Sequence, residues 1–276
     1  MIEIRTMTAG DIPFVLELST AEKWGHSAAD IARLLSFAPQ GCFIAWEANE
    51  RLGTITSTRY GDFAFLAVLI VREQSRGHGV GRQLMEHAIA RLKADGVTTI
   101  ELDGVLKAVP LYRRIGFRSK HYSLRFRGQA PDLAATVELI EPAVRNEILD
   151  FDRRHIDLPR TEVIDRFLTE FAESAYVLGD KSVRGYCVLR PRLDDSLSLG
   201  PLVAGTRDDA VELLTGVLSK YRGRMIRIGV PDIRGSIAGH LKRLGFGQAE
   251  PSLRMYLGER RDYERHAYAI ISAEKS

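Results

Sequence analysis

Residues 76–82 read Arg76, Gly77, His78, Gly79, Val80, Gly81 and Arg82. Glycines at every second position put no Cβ in the way of a ligand and let neighbouring backbone N–H groups converge on it. The run before them, 65–71, is apolar, and 81–95 has helical periodicity. The loop therefore joins a strand to the start of a helix, whose dipole adds positive potential at the same place. The chemistry these residues support is anion binding, most simply of a phosphate. A dinucleotide site needs Gly-x-Gly-x-x-Gly and a nucleotide-triphosphate loop ends in Gly-Lys-Ser/Thr; neither is present. No His or Cys pair has zinc-site spacing, so no metal is expected. Cys42 and Cys187 lie far apart in strand-like apolar runs and read as buried free thiols. Cys42 has no adjacent base and makes a poor acyl carrier.

The elements that must position this loop follow from periodicity. A short strand over 2–5 leads to a helix with Ile12, Phe14, Val15, Leu16 and Leu18, and Ser27 or Asp30 starts a second with Ile31, Leu34 and Leu35 on one face. Strands over 42–46 and 52–58 flank the turn Asn49, Glu50, and a third over 63–71 enters the loop. The helix that follows carries Leu84, Met85, Ala88, Ile89 and Leu92 as a stripe and closes at Asp95 and Gly96. A strand over 98–102 places Glu101 and Asp103 on one face. A short helix over 110–115 begins at proline and stops at Gly116 before Phe117.

From about residue 132 the pattern repeats. Strands are expected over 135–140, 175–178, 185–189, 197–203 and 225–230, with helices over 144–151, 162–171 and 237–244. A further helix buries Leu213, Leu214, Val217, Leu218 and Tyr221. Gly116 and Phe117 recur as Gly245 and Phe246, a shift of 245 − 116 = 129, and the same shift carries the first helical stripe onto the second. It also carries Asp103 onto Asp232 and Arg114 onto Arg243. The loop is not carried: Gly205, Asp208 and Ala210 stand where Arg76, Gly79 and Gly81 stand in the first copy, and Leu241 stands for Tyr112. Acidic residues at that second helix start repel phosphate. The expected architecture is α/β, an α+β mixture in two tandem domains, 1–130 and 131–276. Each has a mixed, mostly antiparallel sheet flanked by helices.

Arg76 to Gly81 resembles the acyl-CoA pyrophosphate loop, Gln/Arg-x-x-Gly-x-Gly/Ala, of the GCN5-related N-acetyltransferase (GNAT) superfamily. Leu111, Tyr112, Gly116 and Phe117 resemble its second signature, Leu-Tyr-x-x-x-Gly-Phe, with the expected helix and strand between. The match covers residues 1 to about 128, and tandem members with a degenerate second copy cover the rest. The resemblance implies acetyl-CoA as acyl donor. Leu69 and Val71 would offer backbone groups to its pantetheine arm, while Arg76 and the N–H groups of Gly77, His78, Gly79, Val80, Gly81 and Arg82 would hold its pyrophosphate. It further implies Tyr112 as the general acid that protonates the leaving thiolate. Either Glu101 or Asp103 is a candidate base, and Trp24 and His26 sit where the superfamily builds its acceptor site.

Composition bounds the rest. Hydrophobic residues make up 45% and charged residues 27% of 276, the balance of a globular protein, and a net charge of +3 is too small to indicate nucleic acid. No apolar run reaches the roughly 20 residues of a membrane span, and residues 1–5 do not resemble a signal peptide, so the expected setting is cytoplasmic. The expected activity is acetyl transfer to a primary amine of a small molecule or peptide by direct attack in a ternary complex. A non-catalytic acyl-CoA sensor is the alternative. A homodimer built around the second copy is a further reading. The segment 263–271 is expected to fold back over the domain junction.

Overall fold

The computed structural model describes residues 1–134, 137–180 and 182–275. Packing divides the chain into two compact units. The first holds residues 1–120 together with 254–260 and 275; the second holds 121–253 and 261–274. The expected division at residue 130 differs from this one, because each unit takes strand residues from the other half of the sequence.

The first unit opens with β1 (Glu3–Thr6), α1 (Ile12–Ala21) and α2 (Ala28–Phe37). Ser27 caps α2: its hydroxyl accepts from the Asp30 N–H at 3.1 Å, and the Asp30 carboxylate accepts from the Ser27 N–H at 2.9 Å. Burial pushes the Asp30 carboxyl up, but these Ser27 hydrogen bonds and Arg33 bring it below its ordinary value. β2 (Phe43–Glu47), β3 (Glu50–Tyr60), β4 (Phe63–Val71), α3 (Val80–Ala94), β5 (Thr99–Val105) and α4 (Val109–Ile115) follow. The sheet order is β1-β2-β3-β4-β5, antiparallel throughout except for the parallel β4–β5 pair. Beyond β5 lies a strand from the end of the sequence, described below. Phe14, Val15 and Leu18 of α1 and Ile31 and Leu34 of α2 form one core with Ile44, Val68 and Ile70. The stripe of α3 is buried as its period predicts.

The second unit takes residues 121–129 of β6 (Arg118–Gln129). It adds β7 (Glu138–Leu139), α5 (Arg145–His155), α6 (Thr161–Glu170), β8 (Ala175–Leu178), β9 (Gly185–Pro191) and β10 (Leu197–Ala204). Next come α7 (Arg207–Lys220), β11 (Met225–Pro231), α8 (Gly235–Arg243), β12 (Gly247–Gly258) and β13 (Ala267–Ala269). Residues 135 and 136 of the strand expected over 135–140 lie outside the described residues. The order is β6-β11-β10-β9-β8-β7, with β10–β11 parallel and β13 paired to β10. The β4-α3-β5-α4 succession thus recurs as β10-α7-β11-α8. Residues 254–258 of β12 belong to the first unit, beside β5. Segment 263–271 is part of the second unit and supplies β13 to its sheet.

Candidate active site

The site begins with a defect in β4. Its parallel pairing with β5 covers only Phe63–Leu66 against Thr99–Leu102. Beyond that, Thr56 faces Ala67 while Thr54 faces Ile70, so β4 carries one more residue than β3 across the same span. Val68 absorbs the extra residue at φ 49, a conformation costly for a β-branched side chain. The bulge turns β4 away from β5. Between Ala67 and Val71, no other strand of the described residues pairs the edge of β4 that faces β5, and the expected positions Leu69 and Val71 lie on it.

The loop continues from that edge. Gly77 and Gly79 both sit at φ 81, where an L side chain is strained, and a Cβ on either would meet no heavy atom within 4 Å. The glycines are therefore required by backbone conformation, and the space beside them is open. The N–H groups of Gly77, His78 and Gly79 meet no backbone acceptor among the described residues. Gly79 caps α3 without a side-chain hydrogen bond, and the first turn holds no acid, so the helix start is also available to an anion. A Cβ added at Gly81 would meet the side chains of Val71 and Leu111 only at ordinary contact distance, 3.6 and 3.7 Å, so this position lies beside β4 and α4. The second unit closes the same position: Thr206 accepts from the Asp209 N–H, and Asp208 and Asp209 occupy the first turn of α7.

Arg76 does not project into the open loop. Its Nε–H donates to the Val71 carbonyl at 3.0 Å and its Nη2 meets Glu22 Oε1 at 2.5 Å. The other oxygen of Glu22 accepts from Lys107 Nζ at 3.0 Å. Burial raises the Glu22 carboxyl, but Lys107 and Arg76 together bring it below its ordinary value. Glu22 ends α1, Arg76 follows β4 and Lys107 follows β5, so one carboxylate ties the ends of both diverging strands to the segment that carries Trp24 and His26. Glu22 and Lys107 have no motif spacing, and only the fold reveals them.

Tyr112 lies against β5 just past the paired stretch, its ring so close to Gly104 that a Cβ there would fall 2.7 Å from Cε2. The residue is 7% exposed, and its hydroxyl bonds to no other described residue. Burial alone pushes the phenol up to about 12. Trp24 and His26 meet edge to face with centroids 6.1 Å apart, and His26 Nδ1 lies 2.8 Å from the Ser19 hydroxyl.

Glu101 and Asp103 have another occupation. Glu101 meets Lys120 at 2.7 Å and Arg254 at 3.4 Å, and Asp103 meets Arg254 at 3.0 Å; all four side chains are at most 1% exposed. Arg254 also stacks over Phe65 at 4.7 Å. Glu101 and Asp103 therefore face Lys120 and Arg254 in one buried box of ion pairs. The geometry places both candidate bases in this buried ion-pair cluster. Sequence spacing put both acids on one face but gave no sign of a partner about 150 positions away.

The first unit thus carries a strand bulge, a phosphate-type loop beyond it and a buried tyrosine near the end of β5. A model of the acetyltransferase (GNAT) family matches residues 12–117, and one of the acetyltransferase (GNAT) domain matches 148–269. The chain is a tandem GNAT acyltransferase. Among relatives of this GNAT protein, holothin acyltransferase of Pseudoalteromonas sp. (strain SANK 73390) is 24% identical over 266 residues, covering 94% of this chain and 89% of its own. A putative acetyltransferase from Pyrococcus horikoshii shares the fold with a TM-score of 0.82 at 19% identity, over 100% of this chain and 96% of its own. A tandem GNAT protein from the clavulanic acid biosynthesis pathway does so with a TM-score of 0.67 at 14% identity, over 95% of this chain and all of its own. Acyl-CoA is the general donor of this family, and the open loop and cleft edge of the first unit fit such a donor. No helix of the described residues is long and apolar enough to cross a membrane, and no cluster of three or more His, Cys, Asp or Glu among them is arranged for a metal ion.

Proposed function

We propose that the first unit transfers an acetyl group from acetyl-CoA to a primary amine by direct attack within a ternary complex. The observation that carries the reading is the stretch of β4 past Leu66 that no longer pairs β5, running into N–H groups of residues 77–79 that meet no backbone acceptor among the described residues. A backbone edge suits the amides of a pantetheine arm, and the loop suits its pyrophosphate. Leu69 and Val71 hold the arm; the N–H groups of 77–82 and Arg76 hold the phosphates, with Arg76 leaving Glu22 and the Val71 carbonyl to do so. Remote anchoring of this kind places the thioester carbonyl without spending affinity at the reacting atoms.

The amine nitrogen attacks that carbonyl, the carbon–sulfur bond breaks, and the sulfur leaves with its electron pair. Tyr112 supplies the proton. A free thiol titrates near 8.5, yet burial in this same unit pushes Cys42 up to about 11. Exclusion of water at the reacting sulfur would raise the released thiolate in the same direction, toward the phenol held at about 12. With Glu101 and Asp103 committed to Arg254 and Lys120, the amine enters as its free base and its proton goes to water. The acceptor is a small amine or peptide, and Trp24 and His26 line its approach.

The test is a panel of primary amines, holothin included, assayed for thiol release from acetyl-CoA. Saturable cofactor binding with no thiol release from any acceptor would replace this reading with that of an acyl-CoA sensor.

A further inference from the structure

The second unit repeats the strand defect of the first. Its parallel pairing covers Leu197–Leu199 against Ile226–Ile228 and then stops. Leu199 faces Leu189 and Leu202 faces Cys187, so β10 carries one residue more than β9 there, as β4 does against β3. Aligned on the bulge, Leu202 and Val203 stand where Ile70 and Val71 stand in β4. The corresponding opening between β10 and β11 is filled.

Its occupant is the end of the chain. Leu202 pairs with Ala269 and Val203 with Ala267, while the Ile270 N–H donates to the Gly229 carbonyl of β11 at 2.9 Å. The segment thus bonds both diverging walls. Two glycines make room for it: a Cβ at Gly200 would lie 2.0 Å from the Ile270 carbonyl oxygen, and one at Gly229 would lie 2.8 Å from Ile270 Cγ1. Residues 267–271 are all buried, none above 6% exposed. The approach is anchored as well. Arg234 lies 5.4 Å over Tyr268 and donates to the Glu264 carbonyl, while Arg190 donates to the Ile271 carbonyl and His121 Nε2 lies 3.1 Å from Glu264 Oε1.

We propose that residues 267–271 are a resident strand ligand of the second unit, occupying by strand addition the cleft that its counterpart in the first unit keeps open for a pantetheine arm. The inference rests on that reading of the first unit. It makes the second cleft a site for an extended peptide backbone and not for a phosphate ligand, in keeping with the Thr206–Asp209 cap that closes the start of α7. It also makes the protein a one-site acyl-CoA binder by occupancy, beyond the repulsion from Asp208 and Asp209.

Hydrogen exchange on the full chain, with and without saturating CoA, tests it. The Ile270 amide should exchange at least about 1,000-fold more slowly than a free chain, unchanged by CoA, while titration calorimetry finds one CoA per chain. Gly229→Val, which intrudes on Ile270, should cost at least about ten-fold of that protection. Ile270 exchanging near the free-chain rate, gaining exchange when CoA is added, or keeping its protection in Gly229→Val would overturn the proposal, as would two CoA sites. If instead Arg76→Ala left CoA affinity unchanged, the reading of the first unit would fall while the protection of Ile270 still tested the second.

Discussion

Replacing Arg254 with methionine keeps a long side chain over Phe65 and removes a guanidinium from the buried box. With Glu101 and Asp103 against Lys120 and Arg254, the box is neutral; without Arg254 it holds one net negative charge among side chains at most 1% exposed. Breaking a buried ion pair on one side costs about 3–5 kcal/mol, about a fifth or more of a domain stability of about 5–15 kcal/mol. Both tryptophans of the chain, Trp24 and Trp46, lie in the first unit, so their fluorescence during urea denaturation follows that unit alone. With a slope of about 2 kcal/mol per molar urea, the midpoint should fall by roughly 2 M. Adding Asp103→Asn removes the excess charge and should return at least about 1 kcal/mol. A midpoint shift under roughly 0.5 M for Arg254→Met would refute the argument that this box holds the unit together. A fragment ending at residue 130 lacks Arg254 altogether and is expected to lack a stable first unit, by the same fluorescence criterion.

Tyr112→Phe should lower kcat by about one to three orders of magnitude with CoA affinity unchanged. Because the phenol is held at about 12 and donates its proton in the neutral form, wild-type kcat should show no alkaline decline from this group up to about pH 10, while rising as the amine loses its proton; a fall between pH 8 and 10 would contradict the assignment. Arg76→Ala should weaken CoA binding by about ten- to a hundred-fold in calorimetry, the worth of a charged hydrogen bond of about 1.5–3 kcal/mol. Glu22→Gln frees Arg76 and should tighten binding by about two- to five-fold, an effect that should vanish in the Arg76→Ala background. Gly104→Ala drives a methyl into the Tyr112 ring, and should cut kcat at least about ten-fold while the tryptophan-detected midpoint moves by less than about 0.5 M.

The parts of this molecule legible in its sequence are those encoded at short range. The glycine loop, the stripe of α3 and the Ser27–Asp30 cap each need only neighbours within a few turns, and each lies where its spacing places it. The repeat was legible because a helix stripe tolerates drift elsewhere. The bulge was not: β-branched Val68 gives no sign of a residue at positive φ, and the register of β4 is set by its partners. The fate of Glu101 and Asp103 was hidden for the same reason, since alternation puts two acids on one face but cannot say that Arg254 arrives beside them. The sequence alone makes the tail a fold-back segment, yet the glycines at 200 and 229 that admit it gain their meaning only from the backbone they face.

The placement of β12 has a consequence for synthesis. Between the emergence of Lys120 and that of Arg254 a ribosome adds 254 − 120 = 134 residues, which at about 5–20 residues per second takes roughly 7–27 s. Through that interval the first half of the nascent chain has an unpaired edge on β5 and acids awaiting their guanidinium. Exposed edges of this kind invite pairing with other chains. Slower translation downstream of residue 120 should therefore lengthen the window for chaperone engagement and for aggregation, while a released full-length chain closes the edge with its own strand.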